Sequence, residues 1–137
     1  MAQVDADLEG NRGLPLHAYY DPQVFEFEME AIFSKSWQYF TSEERLRKKG
    51  DVVSGWVGNS PVLVTRNGDG KLHGLLNICR HRGYPLVEQE HENCHLLLCK
   101  YHSWSYDLAG KLLAAPDSKD EEDFDKSKYA LSPVSVD

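Results

Sequence analysis

CRHRGYPLVEQEHENCHLLLCKYH, residues 79 to 102, holds all three cysteines of the chain and four of its six histidines. At its ends stand Cys79-Arg-His81 and Cys99-Lys-Tyr-His102, each placing one thiolate and one imidazole within a tight loop. Two soft sulfurs and two borderline nitrogens suit either zinc or an iron–sulfur centre. If these were only buried Cys and His, two such mixed pairs would have to coincide by accident. Common zinc patterns pair Cys with Cys and His with His, at spacings such as C-x2-4-C and H-x3-5-H. Here each pair is mixed, and a single residue separates the members of the first. Mixed pairs are what an asymmetric two-iron cluster requires, if one iron takes both sulfurs and the other both imidazoles. Zinc stays the chemical rival.

Around this stretch lies a chain of 137 residues, the size of one domain with a real core. Its net charge of −7 argues against nucleic acid or an anionic membrane as partner. Part of the charge is the run Asp117 to Asp125, which reads as a solvated loop; its functional reading is docking to a basic redox partner. The N-terminus has neither the basic nor the apolar region of a secretory signal, and no apolar run reaches the roughly 20 residues that cross a bilayer. A cytoplasmic location follows, where three clustered cysteines stay thiols or bind metal.

Residues 1–13 are expected to be a flexible lead-in and 14–50 helical. Asp21-Pro22 announces a helix, with Asp as N-cap and Pro at the first helical position. Phe25, Met29, Ile32, Phe33 and Trp37 recur at helical spacing, which predicts one apolar stripe packed in the core. Glu43 to Lys49 predicts a second short helix, ended by Gly50. After Gly50 the period changes to that of short strands: Val52-Val53, Trp56-Val57, Pro61 to Thr65, Lys71 to Ile78, His95 to Cys99 and Trp104 to Leu108. Asn67-Gly-Asp-Gly70 and Asp107-Leu-Ala-Gly110 are turn signals. The fold class is therefore mainly β, a small antiparallel domain over residues 51–137 behind a helical lead-in.

C-x-H-x17-C-x2-H, with Asn77-Ile-Cys-Arg-His-Arg-Gly83 and Cys99-Lys-Tyr-His-Ser-Trp-Ser-Tyr-Asp-Leu-Ala-Gly110, resembles the Rieske domain of ring-hydroxylating, non-haem iron oxygenase α subunits. Tyr20 to Phe25, Glu30 to Phe33, Trp37 and Ala115-Pro116 are similar to further segments of that family, so the resemblance covers roughly residues 14 to 137. It implies a Rieske [2Fe–2S] cluster in a subdomain of about residues 78–116. Cys79 and Cys99 would hold one iron, His81 and His102 the other, with Arg80, Arg82, Tyr101 and Trp104 beside the cluster. Arg80 and Arg82 also fit plain surface solvation.

Cytochrome-complex relatives carry a disulfide between the cluster loops, at positions occupied here by Tyr84 and Tyr101, and a membrane anchor that is not expected here. Trp104 stands where those relatives place a serine bonded to a cluster sulfur. With fewer such bonds the potential is expected at the low end of the Rieske range of about −150 to +300 mV, below zero in a redox titration.

Glu88, His91 and His95 form E-x2-H-x3-H, which mimics the 2-His-1-carboxylate triad of mononuclear iron, but they read as an exposed loop tip. Cys94 reads as a small apolar residue at a strand entry, His73 as a hydrogen-bonded strand residue, and His17 as having no role. The resemblance implies one-electron transfer from a reductase or ferredoxin to a mononuclear Fe(II). That iron belongs to a catalytic C-terminal domain of the same or a neighbouring α subunit within a trimer. The chain stops at Asp137, where the family continues to a Gly-rich turn and a final strand, so the strand and the catalytic domain are expected to be missing. A stand-alone Rieske ferredoxin and a zinc-binding interaction module are the alternatives.

Overall fold

The computed structural model describes residues 10, 13–88, 93–118 and 123–137, and the chain divides into two compact units, Met1–Gln38 and Tyr39–Asp137. In the first, a 3-10 turn at Leu16–Tyr19 precedes helix α1, Pro22–Glu28. Asp21 caps α1 as its sequence predicts, accepting a bond of 2.9 Å from the Gln23 N–H. The helix then opens into a π-turn, Met29–Phe33, closed by Ser34 N–H to the Met29 carbonyl at 3.0 Å.

That turn corrects the expectation of a core stripe. Wider i→i+5 winding breaks the phase that spacings of three and four presuppose. Phe25, Ile32, Phe33 and Trp37 are all exposed, Trp37 at 72%. None of the described residues of this unit is buried.

The second unit carries two antiparallel sheets. Strands β1 (Val52–Val57), β2 (Ser60–Arg66), β3 (Leu72–Leu76) and β7 (Pro133–Val134) form the first in the order β1-β2-β3-β7. Strands β4 (Leu97–Leu98), β5 (Ser105–Tyr106) and β6 (Leu112–Ala114) form the second. Alternation along β2 explains why it is buried on both faces. Leu63 enters the main core with Val52, Leu75, Leu97, Tyr106 and Leu112, while Val62 and Val64 pack with Val53 and Leu46. Leu46 ends the 3-10 helix Glu43–Leu46, so this segment belongs with the first sheet.

Both predicted turns form, and with one hydrogen-bond scheme. Gly70 and Gly110 donate to the carbonyls of Asn67 and Asp107, each at 3.0 Å, and the N–H groups of Lys71 and Lys111 reach the Asn67 and Asp107 side chains. Gly50 is required at its place. Its φ is +91°, and a Cβ there would lie 2.8 Å from the Cys94 carbonyl oxygen. The strands expected at His95 to Cys99 and Trp104 to Leu108 shrink to two residues each. Cys99 and Trp104 are instead spent on closing a loop: the Cys99 N–H donates to the Trp104 carbonyl at 2.8 Å.

Candidate metal centre

Two loops face one another, 79–84 after β3 and 99–104 between β4 and β5, and their backbones follow one rule. In the first, the Cys79 N–H donates to the Tyr84 carbonyl at 2.9 Å and the Gly83 N–H to the Cys79 carbonyl at 3.0 Å. In the second, the Cys99 N–H donates to the Trp104 carbonyl at 2.8 Å and the Ser103 N–H to the Cys99 carbonyl at 2.9 Å. The fifth residue of each is left-handed, Gly83 with φ +73° and Ser103 with φ +59°. Each loop thus presents a cysteine at its base and a histidine on its turn.

Across the loops, the Cys79 and Cys99 side chains are buried, each 2% exposed, and the Cys79 thiol lies against that of Cys99. Burial pushes the Cys99 thiol above its usual pKa; the backbone amides of Tyr101 and His102 pull it the other way, and Cys79 adds to the rise. The imidazoles of His81 and His102 are half-buried with ring centroids 4.6 Å apart. Trp104 stacks flat on His81, at 4.8 Å and an interplanar angle of 5°, and Tyr101 leans on His102 at 3.8 Å. Tyr84 and Tyr101 pack on one another across the loops at 5.7 Å.

Two further residues of the quoted motif segments, given no role by the sequence alone, shape this site. Tyr106, buried on β5, sets its hydroxyl 3.4 Å from the Cys79 Sγ and accepts the Arg80 N–H at 3.1 Å. Burial raises its phenol pKa, followed by its contact with Cys79, so the phenol stays protonated. Asn77, also buried, accepts from the Leu86 and Val87 N–H groups at 2.8 and 3.0 Å and donates to the Val87 carbonyl at 2.6 Å. It clamps the chain on both sides of the first loop. No local pattern reveals either contact, because the partners lie 10 and 27 residues away.

The other candidates lie apart. His95 is exposed, Glu88 pairs with Lys100 at 3.0 Å, and His91 falls outside the described residues. Half-buried Cys94 packs against the main core before β4, and burial raises its thiol pKa. His73 meets the Asn67 side chain at 2.8 Å, as expected of it. His17 sits exposed on the first 3-10 turn. Arg80 and Arg82 are exposed beside His81.

Among the described residues, no three His, Cys, Asp or Glu side chains converge on one point that could hold a single ion. A two-iron centre of this kind asks two protein ligands of each metal. The Nδ1 of His102 is buried and meets no hydrogen-bond partner among the described residues, an atom that coordination would satisfy. Donor set and placement therefore fit a centre of the two-iron kind.

Residues 36–128 match the Rieske [2Fe–2S] domain family. The glycine betaine monooxygenase oxygenase subunit of Chromohalobacter salexigens is 38% identical over 128 residues, 93% of this chain and 28% of that subunit. The anthranilate 1,2-dioxygenase large subunit of Acinetobacter baylyi is 37% identical over 114 residues, 82% of this chain and 24% of that subunit. A naphthalene 1,2-dioxygenase structure from Rhodococcus sp. superposes with a TM-score of 0.89 at 30% identity, covering 96% of this chain and 30% of that one. A quaternary ammonium Rieske monooxygenase in complex with L-carnitine gives 0.84 at 32% identity, over 90% of this chain and 35% of that one.

The chain belongs to the Rieske [2Fe–2S] domain family, and its relatives are oxygenase α subunits, so its cofactor is the Rieske cluster and its fold the antiparallel β fold of those subunits. It spans about a quarter of the length of these curated relatives. Among the described residues, no helix is long and apolar enough to cross a membrane.

Proposed function

We propose that Cys79 and Cys99 hold one iron of the Rieske cluster and His81 and His102 the other, and that the chain transfers single electrons for an oxygenase. The observation that carries this is the pair of matched loops, which brings two buried thiols against one another at the loop bases and two imidazoles to 4.6 Å on the turns. When bound, the cluster supplies a reversible one-electron carrier. The chain's own residues do the rest. Tyr106 donates its hydroxyl toward the Cys79 sulfur and tempers its negative charge. Trp104 covers one face of His81, while exposed Tyr101 covers His102 at the rim where a redox partner can approach.

The finer reading is a relay: an electron from a reductase or ferredoxin passes through this domain to a mononuclear Fe(II) on the catalytic domain of the same or a neighbouring α subunit. Support comes from relatives named as the oxygenase or large subunits of monooxygenases and dioxygenases. Relatives named for a quaternary ammonium compound and for an aromatic ring match it almost equally, so this domain does not itself carry substrate choice.

The test is the EPR spectrum of the anaerobically purified, dithionite-reduced protein, with iron and sulfide content. A Rieske spectrum with two irons and two sulfides per chain is expected. A colourless, EPR-silent protein that contains zinc would overturn the assignment.

A further inference from the structure

The acidic run Asp117 to Asp125 contains a single aromatic residue, Phe124, and the structure places it at the metal centre's back wall. Phe124 stacks on Tyr129 with centroids 4.7 Å apart and an interplanar angle of 26°. Both rings meet Trp104 at near right angles, Phe124 at 5.7 Å and 77°, Tyr129 at 5.5 Å and 79°. Trp104, 2% exposed, in turn lies flat on His81. The segment that carries the two rings is anchored. Asp125 caps the 3-10 turn Lys126–Tyr129 by accepting from the Ser127 N–H at 3.0 Å, and Lys126 donates to the Leu113 carbonyl at 3.1 Å. The Leu131 N–H closes the segment on the Gly110 carbonyl at 2.8 Å.

We propose that Phe124 and Tyr129 are positioning residues for His81, acting through Trp104: they fix the indole, and the indole fixes the plane of the imidazole and keeps water from that face. The inference rests on the reading of His81 as a ligand. An indole held at near right angles by two rings resists rotation, and a stack only 5° from parallel passes that restraint to the imidazole. The apolar shell around a metal centre sets solvent access and with it the potential. A reduced cluster carries one more negative charge than an oxidised one. Water admitted beside His81 therefore favours the reduced form and raises the potential.

The experiment compares the iron-loaded full chain with Phe124→Leu, Tyr129→Leu, the double variant, and the conservative Phe124→Tyr and Tyr129→Phe. Iron per chain, midpoint potential and reduced EPR spectrum are read together, with thermal stability alongside. The leucine variants are expected to keep their iron, shift the midpoint upward and alter the g-values, the double variant most. The conservative variants should match the wild type. Leucine variants with full iron, an unmoved potential and an unmoved spectrum would overturn the proposal, even where their melting temperature falls. Both side chains are only half-buried, and Tyr129→Leu alone carries the test if Phe124→Leu sheds iron. If the wild-type spectrum shows no Rieske signal, or no coordinated histidine nitrogen by electron spin-echo modulation, the ligand reading fails. If the wild-type spectrum is sound and the variants do not move, only the brace fails.

Discussion

Loops 79–84 and 99–104 share a backbone scheme and a Cys–His pair, and differ in what surrounds that pair. Each closes through an outer bond from its cysteine N–H and an inner bond back to the cysteine carbonyl, and each turns at a left-handed fifth residue. The histidine, however, is two residues after the cysteine in the first and three in the second. Tyr106 supports the first thiol through a hydroxyl; the amides of Tyr101 and His102 act on the second from within its own loop. His81 has a buried indole against it, and His102 an exposed tyrosine. One frame repeated twice fixes where the four proposed ligands stand, and the unequal surroundings would give the two metals of the proposed centre different neighbours.

The strongest way to break the comparison is to remove one base. Cys79→Ser and Cys99→Ser are each expected to abolish iron and sulfide binding and the Rieske EPR signal, because each removes one of the two thiolates proposed to hold the same iron. Cys94→Ser should keep both, since that thiol packs against the core outside either loop. Iron analysis of the three purified variants decides it: equal losses at 79, 94 and 99 would dissolve the distinction.

Tyr106→Phe touches the first loop alone. It leaves the part-buried Arg80 N–H without its acceptor, which costs about 1 kcal/mol, the low end of the range for an unsatisfied donor. It also removes a donor from the Cys79 sulfur, so the midpoint potential should fall while the EPR signal persists. Denaturant titration and a redox titration give the two readings. An unchanged potential would mean that the hydroxyl supports the loop and not the sulfur.

The fifth positions offer a finer contrast. A Cβ at Gly83 meets nothing within 4 Å, so Gly83→Ala suffers only from its φ of +73° and should lose about 1 kcal/mol. Ser103 already bears that conformation at φ +59°. Ser103→Gly relieves it but frees the unfolded chain, and should stay within about 0.5 kcal/mol of the wild type. Thermal melts of the pair would contradict the shared frame if the two shifts were equal.

These contrasts also explain what was legible in the sequence. Cys79, His81, Cys99 and His102 stand out because ligand types at short spacing are a local signal, and the turns at Asn67–Gly70 and Asp107–Gly110 because glycine marks a local conformation. The Phe25 to Trp37 stripe misled because spacing assumes a constant winding, and the π-turn at Met29–Phe33 alters it. Tyr106, Asn77 and the Phe124–Tyr129 brace were illegible for the opposite reason. Their meaning lies in contacts 9 to 27 residues away along the chain, which tertiary packing alone creates.

The smallest expected effect concerns the exposed ion pair between the loop segments. Glu88, just after the first loop, accepts from Lys100 of the second at 3.0 Å and from the Tyr84 hydroxyl at 3.4 Å. The bond to Lys100 and its charge lower the Glu88 pKa below the usual 4.5, with a further pull from Tyr84. A carboxyl whose folded pKa is depressed adds stability above its unfolded value and loses it as the pH falls through the folded one. The pair is exposed, so salt screens it, with a Debye length of about 3 Å at about 1 M. Glu88→Gln should thus lower the melting temperature slightly at neutral pH and low salt. The difference should close as the pH drops well below 4.5, and again in molar salt. A large loss at neutral pH that persists in molar salt would show that Glu88 joins the two loops by more than an exposed ion pair.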